Sequence, residues 1–519
     1  MTLSRPKAPS INDRREVRRR RGQAGSPNKL VDKPFRLTQN PFPPLSPLYP
    51  EQLEQIHIAS MRILEEIGID FLDVEALDIW AAAGAKVDRS SQHVWIDRSL
   101  LMELVGQAPG EFTWSARNPE RCLTIGGNHI NFATVGGAPF FSDLEGGRRP
   151  GTLSAFQTMV KLAQQCGPIH IVEGLMVEPQ DLPVPIRHLE KALAQFLYCD
   201  KAITAAAHDR EVAKDYVAMA AIVYGGLDAI QRQPAFAAVV NANSPLRFDG
   251  RMLGGLITYA RYGQPSIITP FILAGAMSPV TMAAAVAQQN AEALAGIALT
   301  QLVRPGTPVI YGGFTTNIDM QTGSPAFGTP EGALALLCGG QLARFYSLPY
   351  RGSGGLNNSK VVDAQASYET QSTLWPAVMA HSNVILHSAG WLEAGLVCSM
   401  EKFIVDIEGL AVMQRMLEGL VVDEDSLALS AIDEVGPGGH HLGTDHTRAR
   451  YRTEFYMPVI SDRQNYEKWR EDGSLDAAQR AHNLAKQLLA EYEKPPIDPA
   501  IEEALMEFVF RRKLDLIGS

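Results

Sequence analysis

Aromatic and ionisable side chains recur directly after apolar, β-type runs in this sequence. Aromatic rings attract an organic cation through their quadrupole, and an arginine or histidine can bind a carboxylate through a charge-assisted hydrogen bond. The pattern therefore predicts a binding site for a small organic cation, with a donor for an acidic group. The candidate residues are Phe271, Tyr311, Phe314, Arg351, His387, Trp391 and Glu393.

Two other interpretations of these residues stay open. The aromatic side chains can fill the interior of a barrel or pack its loops. Arg351 can equally be a structural ion-pair partner, and Phe271 is the weakest of the aromatic candidates.

Other catalytic chemistries have weaker signatures. Three neighbouring pairs, His208-Asp209, His440-His441 and Asp445-His446, lack the spacing of a tight metal site. We find no G-x-S-x-G nucleophile elbow, no phosphate loop and no strand-linked G-x-G-x-x-G. An aldolase-like or lyase barrel normally needs a Schiff-base lysine or a metal cluster at its strand ends. Lys360 begins a helix beyond its strand, so the sequence predicts neither a Schiff base nor a metal site.

Eight β-type runs, each followed by a helical segment, must position these side chains. The runs are 130–135, 169–177, 202–206, 235–241, 266–273, 308–311, 349–352 and 384–387. The helical segments are 153–166, 185–197, 211–224, 251–262, 281–303, 331–345, 363–381 and 398–419. Eight such units predict an α/β fold, a (β/α)8 TIM barrel, because an open sheet usually has fewer. In this fold the active site lies at the C-terminal ends of the strands, where the candidates fall.

The sequence predicts four regions. Residues 1–47 form a basic, proline-rich flexible tail, 48–129 an N-terminal helical cap, 130–421 the barrel, and 422–519 a C-terminal helical extension packed on the barrel. Within the cap we expect helices from residue 51, over 74–83 and over 98–107. The extension is polar and irregular to residue 463 and ends in amphipathic helices over 477–492 and 499–514.

Composition and charge exclude several classes of protein. The 519 residues are 45% hydrophobic, enough for a large core. Residues 1–40 have a net charge of +8, so the remainder is −18, and a body that acidic argues against a nucleic-acid surface. Five scattered cysteines favour a reducing cytosol, and the apolar runs are too short to span a membrane. We therefore expect a cytoplasmic protein.

Several motifs make the family recognisable. They are Tyr350 to Lys360, Asp363 to Ala366 with Glu369, His387 to Glu393, Gly438 to Gly443 with His446-Thr447, Asp462 to Tyr466, and Asp498 to Ala500. Taken in this order, they resemble motifs of the trimethylamine methyltransferase family, and the resemblance covers about residues 48–514.

The resemblance implies a barrel enzyme that passes a methyl group from a methylamine to the cobalt of a separate corrinoid protein. Archaeal members carry pyrrolysine where this chain has Leu356. The chain therefore resembles the branch without pyrrolysine, in which glycine betaine demethylation is known. A quaternary amine needs no proton transfer, because losing a methyl group releases a neutral tertiary amine. No D-x-H-x-x-G cobalamin motif is found, so the corrinoid is expected from a partner protein, with no tightly bound cofactor.

Alternatives within this resemblance concern the substrate and the activity. A member of this family can use proline betaine, carnitine, a sulfonium compound or trimethylamine instead. The fold can also serve a non-catalytic methylamine- or betaine-binding protein. We expect loops 312–328 and 352–359 to contact the corrinoid protein, and the sequence leaves open whether the chain forms a homo-oligomer.

Overall fold

Eight parallel strands close into a barrel in the computed structural model, which describes residues 34–518. Each strand pairs in parallel with the next, and the eighth pairs with the first. The strands are β1 (His129–Thr134), β2 (Ile171–Val172), β3 (Ala202–Ala205), β4 (Ala237–Val240), β5 (Ser266–Ile268), β6 (Val309–Gly312), β7 (Tyr350–Ser353) and β8 (Val384–Ala389). The predicted TIM barrel is confirmed.

A helix follows every barrel strand and packs on the outside. These helices are α1 (Leu153–Gln165), α2 (Arg187–Tyr198), α3 (Arg210–Tyr224), α4 (Gly250–Arg261), α5 (Met282–Val303), α6 (Pro330–Phe345), α7 (Ala364–Met379) and α8 (Met400–Leu417). Their starts follow capping residues such as Thr152, Asp209 and Asp363, whose side chains accept backbone N–H groups of the first turn. Each of the eight predicted helical segments overlaps one of these helices.

Two predicted strands are wrong in their extent. The strand predicted over residues 169–177 is β2, which ends at Val172. Beyond it, the N–H groups of Glu173 and Gly174 donate to the hydroxyls of Thr134 and Thr204 instead of to carbonyls of neighbouring strands. The run over 266–273 divides at Pro270, which has no N–H to donate. Its second half, Phe271–Ala274, leaves the barrel and pairs with Phe314–Ile318.

The barrel interior is filled by one inward-facing layer of apolar side chains. At its N-terminal end the hairpin of Glu111–Trp114 and Leu123–Gly126 closes the interior. The buried members of this cluster are Trp114, Leu123, Ile125, Ala133, Ile171, Ala202, Ala237, Ile267, Ile310, Val384 and Leu386. Burying a large aliphatic side chain stabilises the fold by about 1.5–3 kcal/mol, so this layer fixes the barrel as a rigid support for its mouth.

The N-terminal cap combines helices with a small sheet. Its helices are Pro50–Arg62, continued by a π-helical turn at Ile63–Ile67, then Val74–Ala82 and Arg98–Val105. Strands Ile69–Phe71, Lys86–Asp88 and His93–Trp95 join Arg247–Phe248, which comes from the loop after β4. The sequence does not predict that Arg247–Phe248 joins this sheet, because the cap is expected to form from residues close together in the chain. Thr38–Gln39 pairs with the start of β1.

The C-terminal region begins with short helices where the sequence predicts irregular chain. They are Glu424–Leu427, Leu429–Val435 and Asp445–Arg450, with a 3-10 turn at His441–Gly443. A further short helix, Tyr466–Glu471, follows the predicted irregular stretch. The final helices, Ala477–Ala490 and Pro499–Ile517, pack on the barrel helices.

The predicted boundaries at 47, 129 and 421 stay predictions, and most of the expected basic tail, residues 1–33, lies outside the described residues. Between residues 34 and 518 we find no helix with the length and apolar character needed to cross a membrane.

Candidate functional site

Two small sheets stand on the C-terminal mouth of the barrel. One contains Phe271–Ala274, Phe314–Ile318 and Pro325–Ala326, and follows β5 and β6. The other contains Phe140–Asp143, Gly147–Pro150, Trp391–Leu392 and Val397–Ser399, and follows β1 and β8. Because these strands continue the barrel strands, the side chains at the mouth are held on regular structure rather than on free loops.

Five rings meet at the mouth, and we call them the aromatic wall: Phe271, Phe314, Phe327, His387 and Trp391. Phe314 is at the centre, with ring centroids 5.0 Å from Phe271, 5.6 Å from Phe327, 5.5 Å from His387 and 6.2 Å from Trp391. The His387 and Trp391 rings are 4.6 Å apart. Rings at these distances form a continuous surface suited to an organic cation.

Arg351 lies beneath this wall. Its side chain is fully buried, and its guanidinium carbon is 5.2 Å from the ring centroid of Phe314. Nη1 donates to the carbonyl of Gly313 at 3.1 Å, while Nε has no hydrogen-bond partner among the described residues. No ion pair to Arg351 exists within residues 34–518. Burial lowers the pKa of Arg351 to about 10, so the side chain stays charged at neutral pH.

His387 adds a second donor next to Arg351. The N–H of Gly136 donates to Nδ1 of His387 at 3.1 Å, which assigns the ring proton of neutral His387 to Nε2. Burial lowers the pKa of His387 well below its ordinary value, so the ring is neutral. Nε2 is 3.2 Å from Nη2 of Arg351, and both atoms then carry hydrogens. Two adjacent donors without an acceptor between them can share an incoming carboxylate.

The backbone of β8 is strained where it presents this ring. His387 has φ of +60°, a left-handed conformation that side chains other than glycine adopt at a cost of about 1–3 kcal/mol. The strand register also shifts between Ile385 and Ala389. The surrounding core holds this strained residue in place and turns its ring toward the wall.

Glu173 brings an acidic group into the same region. It is buried, and Oε1 of its carboxyl has no hydrogen-bond partner in the part of the chain that the structure describes. Gly136, the donor to His387, is so close that a Cβ there would lie 3.2 Å from Oε2 of Glu173. Burial raises the pKa of Glu173 to about 7, against the opposing effects of a hydrogen bond with Thr204 and the charge of Arg351. The site thus contains a buried cation and a buried carboxyl group that do not form an ion pair.

Leu356 lines a small cavity beside the wall. The cavity has a volume of about 20 Å³, room for one or two water molecules, and Phe314 and Phe327 also line it. Nε2 of Gln289 and Oγ of Ser353 border the cavity and have no hydrogen-bond partner within residues 34–518. The cavity therefore offers polar groups together with apolar surface.

The loop that carries Leu356 is tightly constrained. Gly355 has φ of +66°, and a Cβ there would lie 2.3 Å from the carbonyl oxygen of His387. The N–H of Leu356 donates to the hydroxyl of Thr373 at 3.0 Å. Only glycine fits at position 355, so this loop passes directly against the strand that carries His387.

The structure brings Phe271, Phe314, Arg351, His387 and Trp391 together, but places the other two candidates elsewhere. Tyr311 points outward from β6, where its hydroxyl donates to Oδ1 of Asn290 at 3.0 Å. Glu393 lies at the rim and pairs with Arg148 at 2.7 Å. Successive side chains of a strand point to opposite faces, so a shift of one residue in the register of β6 decides whether Tyr311 points into or out of the barrel.

Phe327 belongs to the wall but is not among the sequence candidates. It lies in the long loop after β6, with no β-type run before it. The unusual length of that loop is the only signal that marks it. Within residues 34–518 no group of three histidine, cysteine or acidic side chains is placed to hold a metal ion.

Comparison with known proteins identifies the class of this barrel. The sequence profile of the trimethylamine methyltransferase (MTTB) family matches residues 14–516. The chain is 42% identical over 471 residues to the glycine betaine methyltransferase of Desulfitobacterium hafniense strain Y51, covering 91% of this chain and 98% of the relative. It is 30% identical over 465 residues to the trimethylamine methyltransferase MttB of Desulfitobacterium hafniense strain DSM 10664 / DCB-2, covering 88% and 92%.

The fold is also similar to a solved structure. The monomethylamine methyltransferase MtmB of Methanosarcina barkeri superposes with a TM-score of 0.51 at 8% identity, over 92% of both chains. Fold and sequence together define a methyltransferase built on a (β/α)8 barrel. The chain belongs to the trimethylamine methyltransferase family.

Proposed function

We propose that this enzyme transfers a methyl group from glycine betaine, or a similarly small quaternary amine with a carboxylate, to Co(I) of a separate corrinoid protein. The observation that carries the proposal is the buried Arg351 beneath the aromatic wall, which has no ion-pair partner among the described residues. A buried charge without a partner is costly unless a ligand supplies the opposite charge. The similarity to a glycine betaine methyltransferase supports the same substrate.

The two ends of a betaine match the two parts of the site. The trimethylammonium group lies against the wall, where ring faces replace water around the cation. The carboxylate accepts hydrogen bonds from Arg351 and from Nε2 of His387, whose nitrogen is 3.2 Å from Nη2 of Arg351. A cation without a carboxylate leaves Arg351 unpaired, so the site favours a zwitterion over a simple amine.

Leu356 fits a reaction that needs no reactive side chain. When a quaternary amine loses a methyl group, the N–C bond electrons stay on nitrogen and the product is a neutral tertiary amine. The Co(I) acceptor supplies the electron pair of the new bond, so no proton moves. The protein has to hold the cation in line with the acceptor and exclude water. Leu356 and the wall provide that apolar surface.

The corrinoid protein must reach the mouth, since the methyl acceptor is not part of this chain. We assign the contact to loops 312–328 and 352–359, which flank the wall and include Phe327 and Leu356. The described cysteines are free thiols, and four of the five are buried. This supports a reducing cytoplasm as the place of reaction.

Methyl transfer to a purified corrinoid protein tests the proposal. The full chain is mixed with the Co(I) carrier and either glycine betaine or trimethylamine, and formation of methylcobalt is followed by absorbance. We expect methylcobalt with glycine betaine and none with trimethylamine. Parallel reactions with proline betaine and carnitine show how large a substrate the enzyme accepts. Faster reaction with trimethylamine contradicts the substrate assignment, and betaine binding without methylcobalt indicates a binding protein.

A further inference from the structure

Glu173 and Arg351 are two buried ionisable side chains that face the interior of the barrel at its mouth. On β2 the side chain of Ile171 belongs to the apolar layer inside the barrel and Val172 packs in the outer core, so Glu173 is the next residue to point inward. On β7 the hydroxyl of Tyr350 donates to a backbone carbonyl of α6, and its neighbour Arg351 therefore points inward as well. Both side chains are shielded from solvent, where charges interact strongly.

These two groups do not form an ion pair with each other. Oε1 of Glu173 and Nε of Arg351 both have no hydrogen-bond partner among the described residues. Buried polar atoms are nearly always hydrogen-bonded in folded proteins, so two such atoms at one mouth indicate a space that a polar ligand fills. The ionisation of Glu173 then decides which charge that ligand meets.

Glu173 adjoins the two residues that can bind a carboxylate, Arg351 and His387, which we call the donor end of the site. The N–H of Gly136 donates to Nδ1 of His387 at 3.1 Å. A Cβ on Gly136 would lie 3.2 Å from Oε2 of Glu173. One glycine thus separates the Glu173 carboxyl from the His387 ring, and a negative charge on Glu173 acts directly on a ligand carboxylate bound at the donor end.

We infer that Glu173 is a specificity-determining residue, whose protonated form selects ligands that carry a carboxylate and whose ionised form favours cations without one. The inference rests on the proposed function, in which the substrate carboxylate binds at the donor end. When Glu173 is protonated, the charge of Arg351 is balanced by that carboxylate. When Glu173 is ionised, the two side-chain charges already cancel, and an incoming carboxylate lies beside a like charge. A simple cation is attracted by the ionised form instead.

The ionisation of Glu173 changes close to neutral pH. Burial raises the pKa of its carboxyl to about 7, against the opposing effects of a hydrogen bond with Thr204 and the charge of Arg351. A ligand that prefers one form of the carboxyl shifts its pKa, so binding is linked to proton exchange. A betaine should raise the pKa and take up a proton, whereas a simple cation should lower the pKa and release one. Methyl transfer itself moves no proton, so this exchange belongs to binding alone.

Three ionisable side chains among the described residues interact with this carboxyl, and each keeps one charge between pH 6 and pH 8.5. Burial lowers the pKa of Arg351 on β7 to about 10, so it stays cationic. Burial lowers the pKa of His387 on β8 well below its ordinary value and raises the pKa of Tyr216 on α3, so both stay neutral. Glu178, which also lies near Tyr216, pairs with Lys191 at 2.6 Å. The charge at the donor end therefore follows the ionisation of this one carboxyl.

Isothermal titration calorimetry at pH 7 tests the inference with two ligands, glycine betaine and tetramethylammonium. Each titration is run in two buffers of different ionisation enthalpy, which gives the number of protons exchanged on binding. With a pKa of about 7, about half of the Glu173 carboxyls are ionised at this pH. We expect glycine betaine to take up about half a proton per site and tetramethylammonium to release a fraction of one. Both exchanges should vanish in Glu173→Gln, which keeps the shape of the side chain and removes its titration.

The affinities should change with pH in opposite directions. Between pH 6 and pH 8.5 the dissociation constant of the wild type should rise about 10- to 30-fold for glycine betaine and fall for tetramethylammonium. Both constants should stay level in Glu173→Gln. Glu292→Gln is the matched control, because burial also raises the pKa of Glu292, whose carboxyl instead holds the loop after β4 through Ser244 and Leu246. This control should follow the wild type.

The sign of the proton exchange in the wild type needs no variant, so the test does not depend on how well Glu173→Gln folds. Exchange of the same sign with both ligands, or no exchange, overturns the inference and leaves the proposed function intact as long as glycine betaine binds. Failure of glycine betaine to bind at every pH overturns the proposed function and this inference with it. A pH dependence that persists in Glu173→Gln, or disappears in Glu292→Gln, assigns the effect to another group and overturns the inference alone.

Discussion

The indole N–H of Trp391 donates to the backbone carbonyl of Asn357 at 3.1 Å, and the side-chain amide of Asn357 donates to the carbonyl of Trp391 at 2.6 Å. These reciprocal bonds join the loop after β7 to the strand after β8. Leu356 and Trp391 thus belong to one rigid unit. Both sides of the candidate site are positioned together, and neither can shift without breaking a buried hydrogen bond.

Asn357→Ala should loosen Trp391 and weaken substrate binding. The change removes a buried donor and leaves a carbonyl unpaired, which costs about 1–3 kcal/mol of stability. We expect a lower melting temperature together with a raised KM for the quaternary amine. Asn40→Ala is the matched control, because Asn40 is also buried and donates to the carbonyl of Val378 at 2.8 Å, away from the wall. The control should lose stability and keep its KM. An equal rise of KM in both variants contradicts a positioning role.

Arg351→Met should weaken the binding of betaines and leave the binding of simple cations nearly unchanged. Loss of a charged hydrogen-bond donor costs about 1.5–3 kcal/mol, or about 10- to 150-fold in affinity. Calorimetry should show this loss for glycine betaine and little change for tetramethylammonium, which has no carboxylate. Arg344→Met serves as control, since Arg344 donates to the carbonyl of Ala380 on the outer helices. If both ligands weaken equally, Arg351 is structural.

The aromatic wall should contribute to the binding of a quaternary amine through its rings rather than through any single hydroxyl. Phe314→Leu and Trp391→Leu should each weaken binding of a quaternary amine by about 0.5–2 kcal/mol. Tyr311→Phe should bind as the wild type does, because the Tyr311 hydroxyl bonds Asn290 on the outer face of β6. Isothermal titration of the three variants measures this contrast. Weaker binding in Tyr311→Phe alone would place the cation elsewhere.

The barrel was predictable because its signal is repeated eight times along the chain. The wall was predictable in part, since Phe314, His387 and Trp391 follow recognisable β-type runs. The outward direction of Tyr311 depends on strand register, and one residue of shift reverses it. Phe327 enters the wall through a long loop, whose path is set by tertiary contacts such as the bond from Nδ2 of Asn358 to its carbonyl. Such long-range contacts leave no periodic pattern in sequence.

Glu173 should make the stability of this enzyme depend on pH. Its carboxyl has a pKa raised to about 7 in the folded protein, against an ordinary value of 4.5. Between these values the folded state binds a proton that the unfolded state has lost, so the contribution of Glu173 to stability falls as pH rises. The fall is about 1.4 kcal/mol per pH unit and ends above about pH 7.

Glu173→Gln isolates this effect, because it keeps the shape and removes the titration. The lowered pKa of His387 makes the stability of the folded protein rise with pH at pH values below the ordinary pKa of histidine. Both proteins contain His387, so this effect cancels in the difference between their stabilities. Urea unfolding at pH 5.5 and pH 8 should show the wild type losing stability relative to Glu173→Gln at the higher pH. Glu393→Gln at the rim is the matched control and should follow the wild type. A wild-type minus Glu173→Gln difference that stays constant between the two pH values means that Glu173 is ionised throughout.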